Sequence, residues 1–390
     1  MKFTEYVEVN PKTNLKKGEY APFVEMANVS ITYREPEKIE NKKYTSGPKF
    51  QNGDSVVARI EPCLQNGKKF FWKSDKIGFG STEYIVFRAK EGKMDSKYLF
   101  YLLKTDYIKK SMVSSMVGAT GRQRVNNDIF GQIEIVVPNI EKQKKIGRTL
   151  FLYDDLIENN RKQIKLLEEA AQRLYKEWFV DLRFPGHENT KIVDGVPEGW
   201  NLCKLEDAIQ LDPKVTLTKE RMKQFIPMSA LSTASMVLDE SQFTETTSNS
   251  GSKFQNGDTL LARITPCLEN GKTAYVSGLK SDEGAVGSTE YIVMRAKTIN
   301  SYMVYLLART DDFRQSAINS MSGSDGRQRV KSDKLKMLDY LHPTSELVEK
   351  FENVEEPIFE KIYRLSEQMQ QAKQARDLLL PKFMRGEVEV

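Results

Sequence analysis

Residues 49–68 read KFQNGDSVVARIEPCLQNGK, and residues 253–272 read KFQNGDTLLARITPCLENGK. Fifteen of these twenty positions are identical at a constant offset of 204 residues, far more than shared composition can produce. The chain therefore contains an internal duplication. In each copy Asn-Gly-Asp favours a tight turn, because Asn and Gly tolerate positive φ, and the apolar run after it has the length of a β-strand.

The same order of segments follows in both copies. Gly80-Ser81-Thr82-Glu83 precedes a β-branched run and returns as Gly287-Ser288-Thr289-Glu290. Apolar residues at helical spacing follow Asp95-Ser96 and Asn300-Ser301, which are good N-cap candidates. Next come glycine-flanked basic loops, GATGRQRV at 118–125 and GSDGRQRV at 323–330, and then alternating segments at 133–138 and 337–343. Each copy is predicted to be an α/β domain followed by a helix.

Two long helices are predicted from apolar residues that alternate in spacings of three and four, the heptad signature of packed helices. Asn160 interrupts the first series, and Glu355 and Arg376 interrupt the second, in which Pro357 predicts a kink or a restart. Each helix is the natural partner of the other. The apolar positions are Ile146, Leu150, Tyr153, Ile157, Ile164, Leu167, Ala171, Leu174 and Trp178, then Val348, Phe351, Ile358, Ile362, Leu365, Met369, Ala372, Leu379 and Phe383.

A chain of 390 residues is long for one domain and sufficient for two that each bury a core. We predict a first recognition domain at 1–138, a central helical spacer at 139–184, a second recognition domain at 185–342 and a C-terminal helical spacer at 343–390. The copies differ most over 20–48 and 225–252, so discrimination between two targets should lie there.

Composition narrows the class of protein. Three cysteines without CxxC spacing and only two histidines argue against a disulfide framework or a zinc site, and favour the cytoplasm. No apolar run approaches the length of a membrane span. The net charge is only +5, so a nucleic-acid partner has to be argued from local sequence.

No sequence pattern indicates catalysis. Gly271-Lys272-Thr273 resembles the end of a phosphate-binding loop, but Pro266 stands where the leading glycine would be. Gly78-Phe79-Gly80 lacks the third glycine of a dinucleotide-binding loop. Cys63 and Cys267 lie in apolar surroundings typical of structural thiols. We expect no catalytic residue, no cofactor and no metal.

The repeated Arg-Gln-Arg loops suggest DNA recognition. Arginine can bind guanine or phosphate through two N–H groups and glutamine can pair with adenine, although such a loop could also be merely solvated. The Ser-Thr-Glu turns could accept hydrogen bonds from cytosine or cap a neighbouring turn, and four further basic residues could anchor phosphates or be ordinary surface charge. The candidate DNA-binding residues are Arg122, Gln123, Arg124, Arg327, Gln328, Arg329, Ser81, Thr82, Glu83, Ser288, Thr289, Glu290, Arg59, Arg263, Lys68 and Lys272.

Over essentially its whole length the chain resembles the specificity subunits of type I restriction-modification systems. The resemblance rests on the duplicated α/β domains and their helices, the Gly-Arg-Gln-Arg loops, and Pro197-Glu198-Gly199-Trp200 followed by Leu205, which is similar to the usual start of such a repeat. It implies that each domain reads one half of a bipartite site in double-stranded DNA. It also implies that the helices pair antiparallel, relating the domains by a pseudo-twofold axis and setting their spacing.

The implied partners are two methylation subunits, which bind S-adenosylmethionine and methylate adenine N6, and translocating restriction subunits. The sequence itself has no Asn-Pro-Pro-Phe/Tyr motif and no helicase motif, which fits a non-catalytic guide. The unusually similar copies predict related half-sites in inverted orientation. Two other classes stay open: a tandem-domain scaffold that binds proteins, and a stand-alone methyltransferase or nuclease.

Overall fold

The computed structural model describes residues 1–281, 283–324 and 326–389. The chain divides into two compact units: unit 1 comprises Met1–Asn160 together with Gln368–Val390, and unit 2 comprises Arg161–Glu367. Each unit contains one copy of the repeat and part of each long helix. Among the described residues, no helix is both long and apolar enough to span a membrane.

Unit 1 is built from short strands and helices. They are β1 (Val7–Val9), β2 (Tyr20–Val24), β3 (Glu40–Lys43), β4 (Lys49–Phe50), β5 (Ser55–Ala58), β6 (Lys69–Phe71), β7 (Gly78–Gly80), β8 (Tyr84–Ala89), α1 (Ser96–Leu102), α2 (Asp106–Ser114), β9 (Met116–Val117), β10 (Arg124–Val125) and α3 (Ile140–Tyr175), which continues into unit 2. The strands form sheets in the orders β1-β8-β5-β6 and β3-β2-β7-β4, with β9 and β10 as a separate pair. Among the strands described in unit 1, β2 and β7 alone pair in parallel.

Unit 2 repeats this plan. Its elements are β11 (Ile192–Val193), β12 (Val196–Pro197), β13 (Asn201–Lys204), α4 (Leu205–Ala208), β14 (Ile209–Leu211), β15 (Lys223–Ile226), β16 (Thr244–Thr246), β17 (Ser252–Phe254), β18 (Thr259–Ala262), β19 (Thr273–Tyr275), β20 (Ala285–Gly287), β21 (Tyr291–Ala296), α5 (Ser301–Arg309), α6 (Asp311–Asn319), α7 (Ser332–Lys336), β22 (Asp339–His342) and α8 (Ser345–Arg385), whose end belongs to unit 1. The two larger sheets have the orders β14-β21-β18-β19 and β16-β15-β20-β17. As in unit 1, the second sheet contains one parallel pair, β15 with β20.

The repeated Asn-Gly-Asp segments form the predicted tight turns. Gly53 and Gly257 have φ values of 90° and 89°, a region that costs glycine little. The aspartate that ends each turn is buried and paired with an arginine of the adjacent strand: Asp54 with Arg88 at 2.7 Å and Asp258 with Arg295 at 2.6 Å. Each turn therefore starts its strand with a buried, neutralised charge.

The predicted helix N-caps are also confirmed. The Asp95 carboxylate accepts a hydrogen bond from Tyr98 N at the start of α1, and the Asn300 side chain accepts one from Met303 N at the start of α5. Each bond satisfies a main-chain donor that the helix itself leaves free. α1 then contributes buried side chains to the same core cluster as Ile146 of α3 and Phe383 of α8.

The long helices α3 and α8 contain 36 and 41 residues. α8 runs unbroken through Pro357, so the expectation of a restart there is wrong. In unit 1, Asp154 bonds to Arg376 and Asn160 to Gln368, which makes these helix segments antiparallel, as predicted.

The polar residues that interrupt the heptad series are buried. Arg376 donates to the Asp154 carboxylate, which also accepts from Tyr101 Oη. In unit 2, Glu355 is fully buried, and neither of its carboxylate oxygens has a hydrogen-bond partner among the described residues. Burial raises the pKa of Glu355 to about 7. The buried polar residue Arg376 is thus paired with a carboxylate in unit 1, whereas the buried Glu355 of unit 2 has no partner among the described residues.

The two alternating segments that precede the long helices differ in secondary structure. In unit 2, β22 pairs with β13 over four residues. In unit 1, Glu134 forms only an isolated bridge to Lys2, and Ile135 N donates to Met1 O at 2.8 Å. The alternating segment 133–138 of unit 1 therefore does not form a regular strand, although main-chain hydrogen bonds join it to the start of the chain, including one from Phe3 N to Ile133 O at 2.9 Å.

Candidate nucleic-acid interface

The Gly-Arg-Gln-Arg loops project from the short connection that follows α2 and α6. In unit 1, β9 and β10 form the base of the loop, and Gly118 and Gly121 have φ values of 124° and 78°. In unit 2, Gly323 and Gly326 have φ values of 133° and 75°. Residues that carry a side chain rarely adopt such φ values, whereas glycine does so readily. The glycines therefore permit the tight reversal of the chain that exposes the arginines.

The second arginine of each loop is braced by the glutamate of the Gly-Ser-Thr-Glu turn. Arg124 Nε and Nη2 lie 2.9 Å and 2.7 Å from the Glu83 carboxylate oxygens, and Arg329 makes the same two contacts with Glu290. These hydrogen bonds raise the pKa of Arg124 and of Arg329 and lower the pKa of Glu290. The duplication thus preserves a two-pronged ion pair between segments about 40 residues apart.

The first arginine of each loop, Arg122 or Arg327, has an exposed guanidinium group. Arg122 and Arg327 are exposed, and no described residue pairs with either guanidinium. The glutamines are half-buried: Gln123 Nε2 lies 3.5 Å from Gly118 O, and the main-chain oxygens of Gln123 and Gln328 accept from Glu61 N and Thr265 N. Within the described part of the chain, each loop therefore presents one guanidinium without a side-chain partner and one that is braced by a glutamate.

In each Gly-Ser-Thr-Glu turn, the serine hydroxyl is hydrogen-bonded within the turn and the threonine side chain is exposed. Ser81 Oγ accepts from Glu83 N, and Ser288 Oγ accepts from Glu290 N, both at 3.2 Å. These serines cap their own turns, which is the alternative that the sequence left open for the segment. Thr82 and Thr289, between the serine and the glutamate, are exposed.

Four predicted phosphate anchors instead hold main-chain carbonyls. Arg59 Nη2 donates to Val125 O at 3.2 Å, and Arg263 Nη2 donates to Val330 O at 2.8 Å, so both arginines fasten the end of the basic loop. Lys68 Nζ lies 2.8 Å from Met26 O, and Lys272 Nζ lies 2.9 Å from Met228 O. The geometry favours a structural role for all four residues.

Sequence reasoning missed one loop contact. Glu61 Oε2 accepts from Gly121 N at 3.1 Å, whereas Thr265 stands at the equivalent position of unit 2. No fixed spacing could have revealed it, since the two residues are 60 positions apart. Among the described residues there is no cluster of metal-ligating side chains, and all three cysteines are free thiols.

The chain is similar to known DNA specificity proteins. Residues 7–169 match the type I restriction modification DNA specificity domain. The MjaIX specificity subunit of Methanocaldococcus jannaschii is 27% identical over 76% of this chain and 69% of its own length. The HindI specificity subunit of Haemophilus influenzae is 21% identical over 87% of each chain. The S subunit structure from M. genitalium superposes with a TM-score of 0.60 at 15% identity, covering 98% of this chain and 95% of that one, and supports the fold.

Two copies of a sheet domain, each with the same arginine-braced loop and each followed by a long helix, define a tandem-domain protein. The matches along the chain state what it resembles: residues 7–169 match a type I restriction modification DNA specificity domain, and most of the chain is similar to type I restriction enzyme specificity subunits.

Proposed function

We propose that each unit binds one half of a bipartite target in double-stranded DNA through its Gly-Arg-Gln-Arg loop and the adjoining Gly-Ser-Thr-Glu turn. The observation that carries this proposal is the repetition of the Arg124–Glu83 ion pair as Arg329–Glu290, with matching distances. An ion pair between exposed side chains adds little stability, so its duplication points to a function at the surface.

The free and the braced arginine have different parts in this proposal. Arg122 and Arg327 present open forks that suit guanine O6 and N7 in the major groove or a phosphate. Glu83 and Glu290 hold the other arginine in place, so that one face of its guanidinium remains at the surface in a fixed orientation. Thr82 and Thr289 supply exposed hydroxyls beside that pair, which suits contacts with base edges or phosphates.

The long helices provide the frame. Paired segments of α3 and α8 would set the distance between the two half-sites and dock two methylation subunits, which modify the DNA, and the complex would add restriction subunits. Exposed leucines on the helices support a protein partner: Leu152, Leu156, Leu166 and Leu378. The complex would act on chromosomal DNA in the cytoplasm, where the three free cysteines stay reduced.

The proposal is tested by replacing Arg122→Ala and Arg327→Ala separately in the complex with methylation subunits. Loss of a base-reading arginine costs about 1–3 kcal/mol, so affinity for the affected half-site should fall about 5- to 150-fold with relaxed base preference. Each variant is the matched control for the other, because only one half-site should change.

Three outcomes separate the candidate functions. Equal weakening of both half-sites would contradict one unit per half-site. DNA affinity insensitive to both arginines would favour a protein-binding scaffold. Methylation or cleavage of DNA by the purified chain alone, supplied with S-adenosylmethionine or Mg²⁺, would favour a stand-alone enzyme.

A further inference from the structure

Unit 2 contains an open groove beside its Gly-Ser-Thr-Glu turn, and the groove has a volume of about 470 Å³. It lies where the parallel strands β15 and β20 end, and Ser288 and Thr289 form part of its wall. Glu290 of the same turn braces Arg329, so the groove and the basic loop share one turn. Its lining residues are Phe225, Pro227, Met228, Thr246, Ser248, Ser250, Gly251, Gly287, Ser288 and Thr289.

The equivalent place in unit 1 carries a cluster of aromatic side chains. The strand registers match position by position, so Tyr44 corresponds to Ser248, Phe79 to Val286 and Phe23 to Phe225. Tyr44 packs edge-on against Phe79 with ring centroids 5.1 Å apart, and its hydroxyl donates to Gly47 O. Phe23 lies 5.0 Å from Phe79. Serine and valine cannot fill that space in unit 2.

The charge of the two places differs as well. In unit 1, Lys42 Nζ lies 4.4 Å from the centre of the Phe23 ring, and Lys49 Nζ lies 4.8 Å from the centre of the Tyr44 ring. In unit 2, Thr246 replaces Lys42, and Lys253 keeps the position of Lys49. Lys223, opposite Thr246, donates a hydrogen bond from Nζ to Thr247 O at 3.1 Å. The described residues that line the groove are all uncharged.

The hydroxyls of the groove are arranged to donate. Thr246 Oγ1 accepts from Ser248 N, Ser248 Oγ accepts from Ser250 N, and Ser288 Oγ accepts from Glu290 N. Each hydroxyl oxygen is thus engaged by the main chain, while its own proton remains to be donated. Phe225 and Met228 add apolar surface to the same groove.

Hydrogen-bond donors beside apolar surface match the major-groove edge of thymine, which offers the O4 acceptor next to a C5 methyl group. We propose that the groove is a base-reading site that unit 1 lacks, and that it takes the thymine of one A·T pair. Thymine O4 accepts from a serine or threonine hydroxyl, and the methyl group packs against Phe225. This inference rests on the proposed DNA-binding function and changes one expectation: the half-sites share the bases read by the loops but differ at this pair.

The first test fills the groove in the way that unit 1 does. Ser248→Tyr, in the complex with methylation subunits, is compared with the unaltered complex by selection from random DNA. One A·T position in the half-site of unit 2 should lose its preference at least tenfold, and the half-site of unit 1 should be unchanged. Thr246→Val combined with Ser248→Ala removes two hydroxyls without adding bulk, and covers the case in which the tyrosine prevents folding.

Thr247→Val is the matched control, because Thr247 is exposed on the same segment but does not line the groove. It should leave every position of the selected target unchanged. Equal effects of Thr247→Val and the double variant would overturn the proposal. So would a unit 2 half-site without an additional A·T position, or a Thr246→Val and Ser248→Ala variant that folds and keeps full discrimination.

A chemical probe tests the methyl contact directly. Deoxyuridine in place of that thymine should lower the affinity of the unaltered complex about fourfold, the equivalent of burying one methyl group at about 0.8 kcal/mol. Phe225→Ala should bind thymine and deoxyuridine equally, whereas retained discrimination in that variant would contradict the contact. The Arg327→Ala variant tests separately whether unit 2 binds DNA. If its affinity falls but the groove variants have no effect, the proposed function holds and the groove proposal fails.

Discussion

In unit 1, the Asp154 side chain of α3 accepts hydrogen bonds from Arg376 and Tyr101. When the two copies are aligned, Phe359 of α8 occupies the position of Asp154 in unit 2. Its ring packs against three tyrosines, and its centroid lies 4.7 Å from that of the Tyr302 ring. The basic loops of the same two units keep an identical ion pair. The surface proposed to contact DNA has been preserved between the copies, while the packing of each domain on its helices has diverged. The difference shows that a domain of this kind can rest on its helices through either ionic or hydrophobic packing, whereas the ion pair of the loop is the same in both units.

The same contrast holds where each domain's loop meets α3. In unit 1, Arg34 donates to Asp155 at 2.8 Å. In unit 2, Glu168 accepts from Ser235 Oγ at 2.7 Å and Met236 N at 2.8 Å. Each attachment fixes one domain to the helices by a different set of polar contacts.

The largest effect is expected from Arg376→Ala. The substitution leaves the Asp154 carboxylate buried without its guanidinium partner, which costs about 3–5 kcal/mol. Burial opposes ionisation of Asp154, yet Lys104 and Arg376 hold its pKa below the usual value, so the carboxylate stays charged at neutral pH. Denaturant unfolding monitored by hydrogen exchange of the amides in α1 and α3 should show that the decrease in the free energy of unfolding is confined to unit 1.

The matched control for this prediction is Asp154→Leu with Arg376→Met. An apolar pair of similar volume imitates the packing of unit 2, so stability should return to within about 1 kcal/mol of the original or rise. If Arg376→Ala were as stable as the double variant, the ionic contact would contribute nothing and the contrast between the units would disappear.

A smaller effect is expected from Glu355→Leu. Leu150 stands at the equivalent position of unit 1, and in unit 2 burial raises the pKa of Glu355 to about 7. The folded state therefore retains a proton that the unfolded state releases from about pH 4.5 upward. The stability of unit 2 should fall between about pH 4.5 and 7 and then level off. Glu355→Leu should remove this dependence and stabilise unit 2 by about 1–3 kcal/mol at pH 8.

Glu352→Gln is the control for the pH profile, since Glu352 is exposed on the same helix. It should retain the fall in stability with pH. A Glu355→Leu variant with the original pH profile would show that another group is responsible.

The smallest effect is expected from Glu83→Gln, which weakens the brace of Arg124 without removing the residue. Stability should hardly change because both partners are partly exposed. The released guanidinium can then neutralise one more phosphate, so the salt dependence of DNA binding should steepen by about 0.9 in slope while base discrimination in the half-site of unit 1 declines. Glu290→Gln should do the same for unit 2. An unchanged slope together with unchanged discrimination would mean that the ion pair does not shape the DNA surface.

Much of the fold could be predicted from local pattern. The duplication, the Asn-Gly-Asp turns and the two long helices depend on spacing along the chain, and the N-caps Asp95 and Asn300 are local residue choices. The burial of Asp154 could not be predicted in this way, because a heptad pattern registers only apolar positions. The parallel pairing of β2 with β7 joins segments between which two strands of the other sheet, β5 and β6, are formed, and no periodicity records this.

The candidate site could be predicted as a set of residues but not as a geometry. Repetition identified Arg124 and Glu83 together, yet only the fold shows that they form an ion pair. The sequence did not distinguish Arg122, which is exposed, from Arg59, which holds a main-chain carbonyl. The groove of unit 2 lies within the most divergent segment and its surroundings, where sequence comparison could indicate a difference but not an open space.

Unit 1 includes residues from the distant end of the chain: Phe383 belongs to the same core cluster as Phe3 and Ile146. During synthesis the ribosome must therefore produce all of unit 2 before the first unit can be completed. A nascent chain that stops just after Glu367 would contain all of unit 2 and an incomplete unit 1, with apolar core surface of unit 1 uncovered.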